Sequence, residues 1–201
     1  MTAAPRGPMN DELVIDVRND TRYHVDEAAV VALARAVLRP EGVTAAELGI
    51  GFIGELRMRS LNRAHLGDDQ VTDVLAFPLE EPPQTLGARA GAQGAPRVGV
   101  PGASGTVPVT PAEQAGATPA PDDGGPVPRL LGDVVVCLKQ AERQAGRAGL
   151  PLSLETAVLL VHGILHVLGY DHERDAGRMA LRQAELLESL AWDGLVAPPP
   201  A

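Results

Sequence analysis

Residues 151–173, PLSLETAVLLVHGILHVLGYDHE, form the most apolar stretch of the chain, yet they hold three of its five histidines. Apolar side chains recur on nearly every face, which marks a central buried helix over 151–169. Ser153 suits its N-cap and Glu155 its first turn. His162 and His166 are four residues apart, so they project from one face about 40° apart around the axis. Gly169 suits the left-handed residue that ends a helix. The chain can then double back through Tyr170 and Asp171 and bring His172 to the same point.

Three neutral imidazoles converging in a partly apolar pocket suit Zn²⁺, with bonds of about 2.0–2.1 Å. A lone histidine on an apolar face is more often a satisfied core residue. Three of them buried without a shared partner would leave several hydrogen bonds unmade. Structural zinc sites usually have four protein ligands, mostly cysteine, whereas three histidines leave a position open, as in catalytic sites. Metzincin proteases use the same i, i+4, i+10 spacing with a Glu after the first histidine as general base. Here that place holds Gly163, so the geometry is protease-like and the chemistry is not. Glu173, next to His172, is either a carboxylate reaching the metal's water or an exposed loop residue.

Upstream, ELVIDVRN (12–19) predicts a strand, and DEAAVVALARAVLR (26–39) a helix stopped by Pro40. A second strand is expected over 45–54, a helix carrying Arg57, Arg59 and Arg63 over 55–66, and a strand over 72–80. RLLGDVVVCL (129–138) is expected to be a strand, followed by a helix over 139–149 ending near Gly149. An amphipathic helix follows from about Asp175 to Trp192. Strands and helices mix without a clean βαβ alternation, so the expected class is α+β. Between the halves, residues 82–128 hold ten prolines and nine glycines and show no periodicity, the composition of a solvated insertion. Residues 1–10 read as a loose leader, 11–192 as one catalytic domain and 193–201 as a tail.

The composition fits a globular protein: 45% hydrophobic, 21% charged and only 2% aromatic, so the core is aliphatic. A net charge of −9 argues against a broad nucleic-acid surface held by charge alone, and no DNA partner is expected. The single cysteine, Cys137, rules out a disulfide framework and reads as a small buried hydrophobe. No apolar run reaches the roughly 18 residues of a membrane span, and the first residues lack a secretory signal. The expected location is the cytoplasm.

HGILHVLGYDHE, preceded by LGDVVVC and LNRAHLGDDQVTDVLAFP, resembles the YbeY family of bacterial endoribonucleases, the rRNA maturation factors. The resemblance covers most of the chain outside 1–10 and 82–128. It implies a zincin-like α+β fold, a small mixed sheet packed with helices around a central metal-bearing helix. It also implies one zinc ion per chain and a single-strand-specific endoribonuclease. That enzyme matures the 3′ end of small-subunit ribosomal RNA and takes part in ribosome quality control. His162, His166 and His172 match the family's zinc ligands. Asp73, Asp133 and Asp171 match acidic positions, and Asp171 can accept the second N–H of a ligating histidine. Tyr170 is expected to pack over the site. Many relatives carry arginine where Leu66 stands, and Arg59 and Arg63, on one helix face, are the candidates to replace it. Arg143 and Arg147 are further candidates for phosphate contact. Two other readings stay open: a zinc metallopeptidase, and a non-enzymatic ribosome-assembly factor with a structural zinc.

Overall fold

Strands β1 (Glu12–Asn19) and β3 (Ala45–Ile53) run side by side and parallel, Glu12 opposite Ala45 and Asn19 opposite Phe52. A parallel pair needs a crossover, and helix α1 (Glu27–Leu38) supplies it. Asp26 caps α1 by accepting from the Ala29 amide at 3.0 Å. Its buried residues Val30, Leu33, Ala34, Val37 and Leu38 recur at helical spacing and form one apolar stripe. Past Leu38 the chain tightens into a 3₁₀ turn, Arg39–Glu41, around Pro40.

Strand β5 (Arg129–Cys137) adds parallel to β3, and β4 (Val74–Pro78) pairs antiparallel on the outer edge of β5. The sheet order is β1-β3-β5-β4. The mixed α+β class therefore holds, although β1–α1–β3 is a βαβ unit that the sequence pattern does not single out. Here we describe a computed structural model covering residues 12–79 and 129–200. The leader (1–10) and the Pro/Gly-rich stretch (82–128) lie outside the described residues.

Side-chain alternation divides the core. Leu48, Ile50, Phe52, Val134 and Val136 enter the main cluster, together with α1 and helix α4 (Leu152–Val167). Ile53, Leu75 and Cys137 face the other way and enclose Met58 of helix α2 (Glu55–Leu66). Cys137 is fully buried and its thiol is pushed up by that burial, as suits a hydrophobe. Helix α4 touches α1, β4 and β5, helix α3 (Leu138–Ala148) and helix α5 (Arg178–Ser189). From Glu155 onward only Glu155, Val158, His162 and His166 of α4 reach toward solvent. No single described helix is long and apolar enough to cross a membrane.

Three local expectations need correction. Ser153 does not cap α4, whose N-cap is Pro151. Its hydroxyl instead donates to the Val196 carbonyl at 2.9 Å and accepts from the Val196 amide at 3.2 Å. Within 193–201, read as a tail, Val196–Ala197 form β6, which pairs antiparallel with β2 (His24–Val25). Leu195 and Val196 are buried in the core. Two-residue strands carry no periodicity, so only packing reveals them. Finally, α5 is shorter than 175–192, because Asp175 folds back to accept from the Gly177 and Met179 amides.

Tyr23 ties the β2 end to α3 by donating to Glu142 at 2.9 Å. Burial, then the hydrogen bond to Glu142, pushes its phenol up to about 12. The fold thus favours the neutral phenol. Its contribution to stability is complete below the ordinary value near 10 and is lost as pH rises toward about 12. Burial also raises the Tyr170 phenol, so an alkaline absorbance titration should show late phenolate ionisation from both tyrosines, with the Tyr23 share lost in Tyr23→Phe.

Candidate metal centre

Helix α4 ends in a hydrogen-bond pattern set by one glycine. Gly169 has φ 93°. Its amide donates to the His166 carbonyl at 2.9 Å, and the Tyr170 amide donates to the Leu165 carbonyl at 3.0 Å. These two bonds make a Schellman motif. The next turn is closed by the Arg174 and Asp175 amides, which donate to the Asp171 carbonyl at 3.0 and 2.9 Å. His172 is thereby carried back over the helix end. Ring centroids lie 4.6 Å apart for His162–His166, 5.1 Å for His166–His172 and 5.5 Å for His162–His172. One ring nitrogen from each lies within 4.8 Å of the others.

The hydrogen bonds at the far sides of the rings determine what the near sides offer. His166 Nδ1 donates to the Tyr170 carbonyl at 3.0 Å, and His162 Nδ1 meets Gln183 Oε1 at 3.1 Å. A carbonyl only accepts, so where both Nδ1 atoms donate to these oxygens, both Nε2 atoms are left with lone pairs. Those two Nε2 atoms face each other at 3.1 Å. In that tautomer the two lone pairs converge where a shared cation can sit. Two Zn–N bonds of about 2.0–2.1 Å at a tetrahedral angle set their nitrogens about 3.3 Å apart, so the pair fits that ion. Burial first, then His162, holds His166 below the usual imidazole range, which keeps it neutral as a ligand must be. The three histidines can therefore hold one metal ion.

Gly163 faces the sheet. A methyl there would lie 2.5 Å from Val134 Cγ1 and 3.3 Å from Val74 Cγ2. The position where the proteases carry Glu is packed against β5 and β4, with no room for a side chain.

The other candidates fall elsewhere. Asp171 does not accept from a ligating ring. Its carboxylate accepts from the Glu173 amide at 3.1 Å and lies 3.5 Å from Arg174. Glu173 is exposed in that turn. Arg59 and Arg63 do share a face of α2, and both reach Asp69, at 2.6 and 3.7 Å. Arg143 is paired with Glu55. Tyr170 turns its hydroxyl to Glu41 at 2.9 Å and contributes its carbonyl to the site. Asp73 organises the start of β4, accepting from the Val74 amide and from Gln144 at 2.8 and 2.9 Å. Asp133 lies inside β5 opposite Gly49, not at a strand start. Gln183 and Glu41 have no motif around them and were found only through these contacts.

A mixed sheet backed by a buried helix, with histidines from that helix and from the turn after it, defines an α+β protein built around a potential metal site. The family model described as endoribonuclease YbeY matches residues 15–191. The chain belongs to that family. A protein of Salinispora tropica named endoribonuclease YbeY is 37% identical over 87% of this chain and 94% of its own length. One from Mycolicibacterium smegmatis, with the same name, is 32% identical over 91% of this chain and 86% of its own. The solution structure of TM1509 from Thermotoga maritima matches the fold with a TM-score of 0.50 and 19% identity, covering 87% of each chain.

Proposed function

We propose that this chain is a zinc-dependent, single-strand-specific endoribonuclease. It acts in 3′-end maturation of small-subunit ribosomal RNA and in ribosome quality control, in the cytoplasm. The name shared by its relatives supports the ribonuclease activity. The observation that carries the metal is the convergence of three imidazoles, with His162 Nε2 and His166 Nε2 3.1 Å apart beside His172. His162 and His166 of the central helix and His172 of the turn after it hold one zinc in a zincin-like architecture.

A bound zinc supplies electrophilic stabilisation of the charge that develops on a phosphodiester and makes water nucleophilic near neutral pH. The chain's own residues bind and orient. Tyr170 and Gln183 fix the two helix imidazoles. Glu173, exposed beside His172, is the carboxylate proposed for proton transfer. Arg59 and Arg63 are proposed to exchange Asp69 for RNA phosphates. The spacing shared with the metallopeptidases does not favour peptide hydrolysis, because Gly163 offers no general base.

The test is elemental analysis of the purified protein together with cleavage of a single-stranded small-subunit rRNA precursor. About one zinc per chain is expected, with cutting lost to a chelator and restored by zinc. An intact precursor with zinc-loaded protein, in the presence of small ribosomal subunits, would overturn the activity. Full cutting by protein freed of metal would overturn the zinc.

A further inference from the structure

Helix α5 supplies the acceptor for His162. Gln183 lies four residues after Met179 and three before Leu186, the two buried residues of that helix. It therefore shares their inward face, and its Oε1 sits 3.1 Å from His162 Nδ1. Next to it, Arg182 is clamped by Glu41, Nε to Oε1 at 2.6 Å. The Glu41 side chain is only 10% exposed and also accepts from the Tyr170 hydroxyl at 2.9 Å. One carboxylate thus ties together the two segments that support the imidazoles, the turn at Tyr170 and helix α5 at Gln183.

We propose that Gln183 is the positioning residue that holds His162 in its Nδ1–H tautomer, leaving Nε2 free to take a metal ion. The assignment rests on the metal reading above. A ligating histidine commonly donates its second N–H to such an acceptor, and losing that acceptor costs roughly 10–100-fold in metal affinity. Gln183→Leu removes the acceptor at similar size. Gln183→Glu keeps it, because a carboxylate can only accept.

Two readouts decide. Nitrogen-15 imidazole spectra of the metal-free protein should show His162 as the Nδ1–H tautomer in wild type and Gln183→Glu, and as a mixture in Gln183→Leu. Zinc affinity, measured by competition with a chromophoric chelator, should fall about 10–100-fold in Gln183→Leu. It should stay within a few-fold of wild type, or tighten, in Gln183→Glu. Wild-type His162 protonated on Nε2 would overturn the proposal, and so would Gln183→Leu matching wild type in both readouts. Equal loss in Gln183→Glu and Gln183→Leu would overturn it as well. If Gln183→Leu fails to fold, the wild-type and Gln183→Glu spectra still decide. If wild type binds no zinc, the metal reading fails, and the tautomer spectra test Gln183 independently.

Discussion

His166→Ala is expected to lose both metal and RNA cleavage while keeping the fold. Removing an acceptor behind a ligand costs about 10–100-fold in affinity, so removing the ligand itself should cost more than about 100-fold. The dialysed variant should then retain almost no zinc in elemental analysis. Folding should survive for two reasons. Alanine is the better helix former, and the imidazole is only half-buried in the last turn of α4. Circular dichroism and a thermal melt without metal would check the fold. A variant that keeps stoichiometric zinc would sink the assignment of His166 as a ligand. One that loses zinc but still cuts RNA would separate the site from the activity.

Gly163→Glu should have the opposite signature, failing in the fold rather than in the chemistry. Even one added methyl would stand 2.5 Å from Val134 Cγ1, where β5 supports α4. For Gly163→Ala, helix propensity returns about 1 kcal/mol, while overpacking costs about 1–3 kcal/mol. A net destabilisation of about 1 kcal/mol is therefore expected in denaturant titrations. Glutamate adds a buried, unpaired charge to the same clash, which costs several kcal/mol more. That should leave the chain unfolded or aggregated, so restoring the protease-type motif yields no peptidase. A well-folded Gly163→Glu protein would show that the helix can lift off the sheet, and that the glycine is not a packing requirement.

These contacts also show why parts of the molecule were visible in the sequence and others were not. β1 matched its expected bounds, and α2 did too, because each carries a full period of its pattern between clear stops. Gly169 was legible because only a left-handed residue ends a helix while returning the chain at once, and its φ is 93°. The β2–β6 pair was not legible, since two residues define no period. Ser153 looked like a cap because caps are local. It was recruited instead by the Val196 backbone, 43 residues away. Asp171 looked like the partner of a candidate ligand because it neighbours His172. Yet its own turn offered the nearer donor, the Glu173 amide.

What the sequence alone determined is the set of imidazoles and their directions. Helical periodicity places His162 and His166 on one face, and the glycine turn returns His172, by rules acting within about ten residues. What only the tertiary structure decided is the set of partners those rings meet. Their outer nitrogens meet the Tyr170 carbonyl and Gln183, whose neighbour Arg182 is held by Glu41, 142 residues before Gln183 in the chain. Hydrogen bonds between distant segments exist only after the core has closed. Periodicity can thus aim an imidazole, but only packing brings the groups that its ring nitrogens meet.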